Sequence, residues 1–157
     1  MTFPELVAAF TRAAVAGDGA ALADLFTEDG VYVDGFYGPF TGRAAIKDML
    51  EQHFHGAARD FRWDMTDLVC DGRTGYARYV FSYTSTLGDS AGRRVVFPGM
   101  SCFTLSGGRI ARYAEAFDRG VALAQLDFPA ERIRKALLRW AKEEAERPEA
   151  ARHRGTA

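Results

Sequence analysis

Cysteine is scarce in this sequence: Cys70 and Cys102 are the only two in 157 residues. They share no spacing pattern, which argues against a disulfide framework and for reduced, packed thiols. No run approaches the roughly 18 uninterrupted apolar residues of a membrane span. Neither sign of charge predominates, since 20 Lys and Arg face 21 Asp and Glu for a formal net charge of -1. The basic footprint of a nucleic-acid-binding surface is therefore missing. Histidine is also rare. His53 and His55 stand two apart, which on a helix cannot share a metal as an i, i+4 pair does, and His153 lies far along the chain. No metal site is expected. There is no G-x-S-x-G elbow, neither cysteine has a histidine beside it, and Gly107-Gly108 reads as a hairpin turn because no helix follows. The opening MTFPELVAAFTRAA lacks a basic start and carries Glu5 early, so no signal peptide is expected and the cytoplasm is the expected location.

What is plentiful is aromatic. Phe (12), Tyr (6) and Trp (2) make up 13% of the residues, and fifteen of them fall between Tyr32 and Phe117. A core can use them, and so can a large apolar pocket. Hydrophobic residues at 48% and charged residues at 26% give an ordinary globular balance. The length suits one domain that buries roughly 68–70% of its unfolded surface. No repeat or internal boundary interrupts it. Residues 1–147 are expected to form that domain, with 148–157 a disordered tail.

The chain reads as helices, then strands, then helix. Thr2-Phe3-Pro4-Glu5 has the form of a capping box before Leu6, Phe10 and Ala13 at helical spacing, with Gly17 as the stop. Asp18 caps a second short helix. Thr27 to Gly30 reads as a polar turn, and Val31 to Asp34 as a strand that places Tyr32 and Asp34 on one face. Gly35 to Gly42 reads as loop. Thr41 is the expected cap of a third helix with the stripe Ile46, Met49, Leu50, His53 and Phe54, ending near Gly56. From Phe61 the period becomes two. Phe61, Trp63 and Met65 alternate with polar residues, Asp71-Gly72-Arg73 is a hairpin signal, and Ala77, Tyr79, Phe81 and Tyr83 share a face. Arg93 to Thr104 is a strand with an expected bulge or bend at Pro98-Gly99, and Arg109 to Phe117 is the last strand. Asp118 caps a short helix. Pro129 opens the final one, whose stripe Ile133, Leu137 and Trp140 is expected to pack over the body of the domain or the mouth of its pocket. The class is α+β.

Three stretches, with this order of elements, resemble the nuclear transport factor 2-like superfamily: AGDGAALADLFTEDGVYVDG (16–35), GPFTGRAAIKDML (38–50) and SGGRIARYAEAFD (106–118). Within it the chain is most similar to the SnoaL-like polyketide cyclase group, with likeness to ketosteroid isomerase and limonene epoxide hydrolase. The resemblance implies a cone-shaped fold, a bent and mostly antiparallel sheet wrapped around three N-terminal helices, with a deep pocket open at one end. It also implies a homodimer through the outer sheet face, where Arg78, Val80, Ser82 and Thr84 lie.

By the same resemblance Asp34 falls where the isomerases carry their general base, and Tyr32 where the epoxide hydrolases position water. Glu115 falls where those hydrolases carry a proton donor. Their remaining Arg and Asp correspond to Tyr79 and Phe81, and the isomerase oxyanion tyrosine corresponds to Phe10, so neither relative's site is copied whole. Carboxylates among Phe and Tyr are desolvated, which raises their pKa toward the range of proton transfer. Tyr32 and Tyr113 are candidate donors to a developing oxyanion. Each residue also has a structural alternative. Glu115 can pair with Arg112, Arg78 or Arg94 if its strand faces the other way. Asp34 can order the following Gly-rich loop. His53 is either a partly buried structural histidine or a second acid–base group, and His55 is expected in solvent.

The expected catalytic set is Glu115, Asp34, Tyr32, Tyr113 and His53. The expected pocket wall is Phe10, Trp63, Tyr79, Phe81, Tyr83, Ser101, Phe103 and Phe117. Together they imply a cofactor-independent enzyme for isomerisation, dehydration or aldol-type cyclisation of a hydrophobic carbonyl compound. The alternatives are an epoxide-hydrolase-like enzyme and a non-catalytic binding or scaffold protein.

Overall fold

A six-stranded sheet in the order β2-β1-β6-β5-β4-β3 organises the molecule, with only β1 and β6 parallel. The computed structural model describes residues 1–155. Helices α1 (Phe3–Ala16) and α2 (Gly19–Asp24) lead into β1 (Phe26–Asp34) and β2 (Gly38–Thr41). Helix α3 (Arg43–Asp48) runs on through a π-helical stretch, Met49–Phe54, into the short α4 (His55–Ala57). Then come β3 (Ala58–Cys70), β4 (Thr74–Ser85), β5 (Arg94–Ser106) and β6 (Arg109–Phe117), followed by α5 (Arg119–Gln125) and α6 (Ala130–Glu146). The expected α+β class is what forms. No helix among the described residues is long and apolar enough to cross a membrane.

The helix entries follow their sequence signals. Thr2 and Glu5 close the capping box of α1, and Gly17 ends it at φ 72°. Asp18 and Asp118 accept the backbone N–H groups of Ala21 and Val121, capping α2 and α5. The apolar face of α1, through Leu6, Phe10 and Ala13, lies against the concave side of the sheet with Phe26, Phe103 and Ile110.

Several local expectations are overturned. Thr27 to Gly30 is not a separate turn but the irregular middle of β1, where pairing with β6 slips between Phe26 and Val31. The loop after Gly35 contains β2, because Asp34 Oδ1 accepts the N–H groups of Phe36 (2.8 Å) and Tyr37 (2.9 Å) and folds the chain back on β1. Gly42, at φ 86°, stands at the start of α3 in place of Thr41, and no side chain caps it.

Beyond Leu50 the helix widens into a π turn that keeps Phe54 of the expected stripe inward, against Trp63 and Phe81. His53 is exposed at the cavity rim beside Tyr37 and Phe40, whereas His55 is half-buried against Phe61 and hydrogen-bonds the Ala14 carbonyl at 2.8 Å.

Cys70 is exposed at the β3–β4 turn and Cys102 partly buried, so the thiols are free but not both packed. Ser82 and Thr84 are buried beneath Arg94, which donates to both hydroxyls. In the expected disordered tail, Pro148–His153 forms 3-10 turns, and residues 156–157 lie outside the described residues.

Pro98-Gly99 is no bulge. Both residues keep register with β4, Gly99 opposite Tyr79, and Gly99 with β6, opposite Phe117. Glycine stands there because the Tyr79 ring lies across it: a Cβ on Gly99 would overlap Tyr79 Cζ and Oη.

Candidate active site

The site begins with register. On β6, Tyr113, Glu115 and Phe117 point to the concave side, Tyr113 opposite Tyr32 of β1 and Phe103 of β5. The parallel pairing Val33 to Ala114, continued one residue, carries Asp34 alongside Glu115. Both carboxylates reach a cavity of about 1170 Å³, walled by Trp63, Phe81, Tyr83, Phe97 and Phe117 and rimmed by α6.

Glu115 is held from three directions. Its Oε2 accepts the hydroxyls of Tyr79 (3.2 Å) and Tyr113 (3.3 Å), and its Oε1 accepts the N–H of Gly35 (3.2 Å). Tyr113 in turn meets the fully buried Ser101 hydroxyl at 2.9 Å. None of the three possible arginine partners contacts Glu115; Arg78 pairs with Asp67 instead. Tyr79 reaches from β4 to β6 by passing over Gly99, and Gly35 leaves room for Phe117, whose ring a Cβ there would overlap.

Burial first and the charge of Asp34 second push the Glu115 carboxyl up to about 8, against the three donors that favour its ionised form. Asp34 is also raised by burial, opposed by the Tyr37 and Phe36 amides and by His53. The two carboxyls titrate as a pair: burial raises both, and negative charge on Asp34 raises Glu115 further. Burial likewise raises Tyr32, Tyr79 and Tyr113, and lifts Tyr83 to about 12, so all four remain phenols.

The expected site residues divide accordingly. Glu115, Asp34, His53, Trp63, Phe81, Tyr83 and Phe117 line the cavity. Tyr32, Tyr113, Phe10, Phe103 and Ser101 do not, because they sit deeper in the cone beneath α1. Tyr32 stacks on Phe10 at 6.0 Å, and Phe10 packs on Tyr113 at 4.7 Å. Tyr113 is thus a support for Glu115, not a donor to a ligand, and Ser101 supports Tyr113. Tyr79, expected on the wall, is a second support for the acid. Asp34 combines both of its alternatives: Oδ1 orders the loop while the carboxyl faces the cavity.

Sequence reasoning missed a further part of the cavity wall, built by Phe36, Phe54 and Phe97, by Leu123 of α5, and by Leu126 and Phe128 in the turn that follows it. The missing side chain at Gly99 supplies a test of the Tyr79 arrangement. Gly99→Ala is expected to displace Tyr79 from Glu115 and, as overpacking, to cost about 1–3 kcal/mol, read by urea denaturation. An unchanged stability would show that the ring does not need the gap.

Residues 7–113 match the SnoaL-like domain family, and the chain belongs to that family. A search of curated proteins finds no match. Among solved structures, a protein of ketosteroid isomerase-like fold from Catenulispora acidiphila, in complex with trimethylamine, superposes with a TM-score of 0.72 at 24% identity, covering 83% of this chain and 98% of its own. A Xanthomonas campestris protein assigned as a polyketide cyclase gives 0.66 at 26% identity, covering 78% and 95%. A Mycobacterium tuberculosis epoxide hydrolase of the limonene type gives 0.63 at 21%, covering 85% and 92%. The fold is the nuclear transport factor 2-like cone, one used by small-molecule enzymes.

Proposed function

We propose that this protein is a cofactor-independent enzyme for hydrophobic, carbonyl-bearing small molecules, in which Asp34 takes a proton and Glu115 gives one. The observation that carries this reading is the setting of Glu115: a carboxyl raised to about 8, at a cavity wall, beside a second carboxyl that faces the same cavity. One of such a pair ionised and the other protonated make a base and an acid at one pH.

Lone pairs say which oxygen acts. Each carboxyl oxygen has two acceptor positions. Oε2 has both taken by the Tyr79 and Tyr113 hydroxyls, while Oε1 has one taken by Gly35 N–H. The proton of neutral Glu115 therefore resides on Oε1. On Asp34 the two amides occupy Oδ1, leaving Oδ2 as the base.

A substrate carbonyl at Oε1 and its α C–H at Oδ2 would react in one motion. Asp34 takes the α proton, the C–H electron pair becomes the C=C bond, the C=O π pair moves onto the carbonyl oxygen, and Glu115 protonates that oxygen to give a neutral enol. The enol then takes a proton back at another carbon, expels a β-hydroxyl as water, or attacks a second carbonyl within the molecule. Isomerisation, dehydration and aldol-type cyclisation share this first half. Epoxide hydrolysis fits less well, because Tyr79 holds Glu115 and Phe81 is apolar where that chemistry has its water-activating Arg and Asp.

The test needs no knowledge of the true substrate. In D₂O, the wild-type protein is expected to exchange the α protons of a bulky aryl ketone such as a tetralone, followed by proton NMR. Glu115→Gln and Asp34→Asn are expected to abolish the exchange. Exchange that persists in both variants would contradict the assignment. Tyr79→Phe removes one donor and is expected to lower the rate by about tenfold, as the loss of one positioned hydrogen bond does.

The convex face of the sheet exposes Val80, Val96 and Met100. A homodimer through that face is part of the proposal, and equilibrium sedimentation is expected to show twice the chain mass.

A further inference from the structure

Helix α6 is amphipathic, and the expectation that its apolar stripe packs over the domain or its mouth is met fully only at Trp140. Only Trp140 is buried, pinned between Phe36 and the Arg119 guanidinium, whose centre lies 4.4 Å from its ring centroid. Ile133 is half-buried, Leu137 and Leu138 are exposed, and they line a shallow groove on the other side of the helix. The face turned to the cavity is Arg132, Lys135 and Arg139, one helical turn apart, with Ala136 and Trp140 between them.

An amphipathic helix that sets its cations over an aromatic cavity and leaves leucines in water has the opposite of the orientation burial favours. The cations are also short of partners. Arg132 lies over the Phe128 ring at 3.9 Å, and neither it nor Lys135 pairs with a carboxylate among the described residues. Arg139 approaches Glu143 only at 3.8 Å. The acids that share this rim are Asp89 and Asp127, and Asp127 is already bound to Arg93 at 2.7 Å. Asp34 and Glu115 lie on the strand walls of the same cavity, where burial and then the Asp34 charge raise the Glu115 carboxyl.

We infer that the ligand of this cavity is an amphiphile with an anionic end, a carboxylate or a phosphate, which Arg132 and Lys135 hold at the mouth while the apolar body fills the aromatic interior. The inference rests on the proposed function for what happens at the inner end, and only there. It specifies polarity along the substrate: reactive carbonyl inside, charge outside. Guanidinium and ammonium groups recognise both anions by charge-assisted hydrogen bonds, which are stronger than neutral ones.

Fluorescence titration with pyrenebutyrate and its neutral analogue pyrenebutanol tests this. The wild-type protein is expected to bind the carboxylate about tenfold more tightly, with the gap narrowing as salt rises. In Arg132→Gln/Lys135→Gln the two probes are expected to bind equally, at the pyrenebutanol affinity. Lys135→Glu, at an exposed position that folding does not depend on, is expected to favour the alcohol. A phosphate monoester of pyrenebutanol distinguishes the two headgroups by whichever binds more tightly. Equal binding of acid and alcohol by the wild type, or an unchanged preference in the variants, would overturn the inference. Failure of every probe to bind would overturn it as well. Glu115→Gln is expected to keep the preference, so a wrong catalytic assignment and a wrong ligand polarity give different results.

Discussion

Glu115→Gln is expected to slow turnover by about 10²–10⁴-fold, the range that a positioned proton donor contributes, and to make the protein more stable at pH 8. Both effects have one origin. Burial and the Asp34 charge raise the Glu115 pKa from 4.5 to about 8 in the folded protein. Between those values the native carboxyl keeps a proton that the unfolded chain has lost. The stability it contributes is complete below the unfolded pKa and disappears as pH rises through the folded one.

Glutamine does not ionise, so its variant escapes that decline. The advantage over the wild type is expected to grow across this window by about 4 kcal/mol, measured by urea denaturation at its two ends. The amide fits the same pocket. Its carbonyl can face Gly35, and its N–H₂ can donate to the Tyr79 and Tyr113 oxygens once those hydroxyls rotate, Tyr113 toward Ser101. A variant that is inactive and less stable at every pH would instead mean that Glu115 serves only to hold the strands and the loop together.

Asp34→Asn is expected to be almost as damaging to turnover, by about 10²-fold or more. It separates the two roles this residue combines. Asparagine keeps a carbonyl oxygen for the Phe36 and Tyr37 amides, so the fold-back into β2 survives. What disappears is the base, together with the negative charge that helps keep Glu115 protonated. The Glu115 titration is therefore expected to move to lower pH in this variant, a shift that a purely structural role for Asp34 does not produce. Retained turnover with an unmoved titration would return Asp34 to the status of a turn residue.

Period-two alternation made the faces of the strands legible. Tyr32 with Asp34, and Tyr113 with Glu115 and Phe117, point inward as their spacing requires. The family resemblance supplied the curvature and the open end. Neither revealed depth. Tyr32, Phe103 and Tyr113 share the concave side with Phe81 and Tyr83, yet they lie where Phe10 of α1 fills the cone, and alternation along a strand does not say how far a helix reaches down it. The Tyr79 contact was hidden for a different reason. It depends on a glycine in another strand, Gly99, and the pairing of β4 with β5 is a long-range fact.

The helices were less legible. At the π turn His55 packs inward while His53 stays exposed at the cavity rim, and hydrophobic periodicity in α6 marked a stripe without saying that its charged flank would face the cavity. That flank is what points to the polarity of the ligand.

Glu115 is expected to stay protonated at neutral pH because it is buried among aromatic side chains beside the charge of Asp34. Carbon-13 NMR of the Glu115 side-chain carboxyl, assigned by its loss in Glu115→Gln, measures this directly. The account predicts a titration midpoint near 8 in the wild type, moving down in Asp34→Asn. A midpoint at the ordinary glutamate value of about 4.3 in both proteins would contradict it.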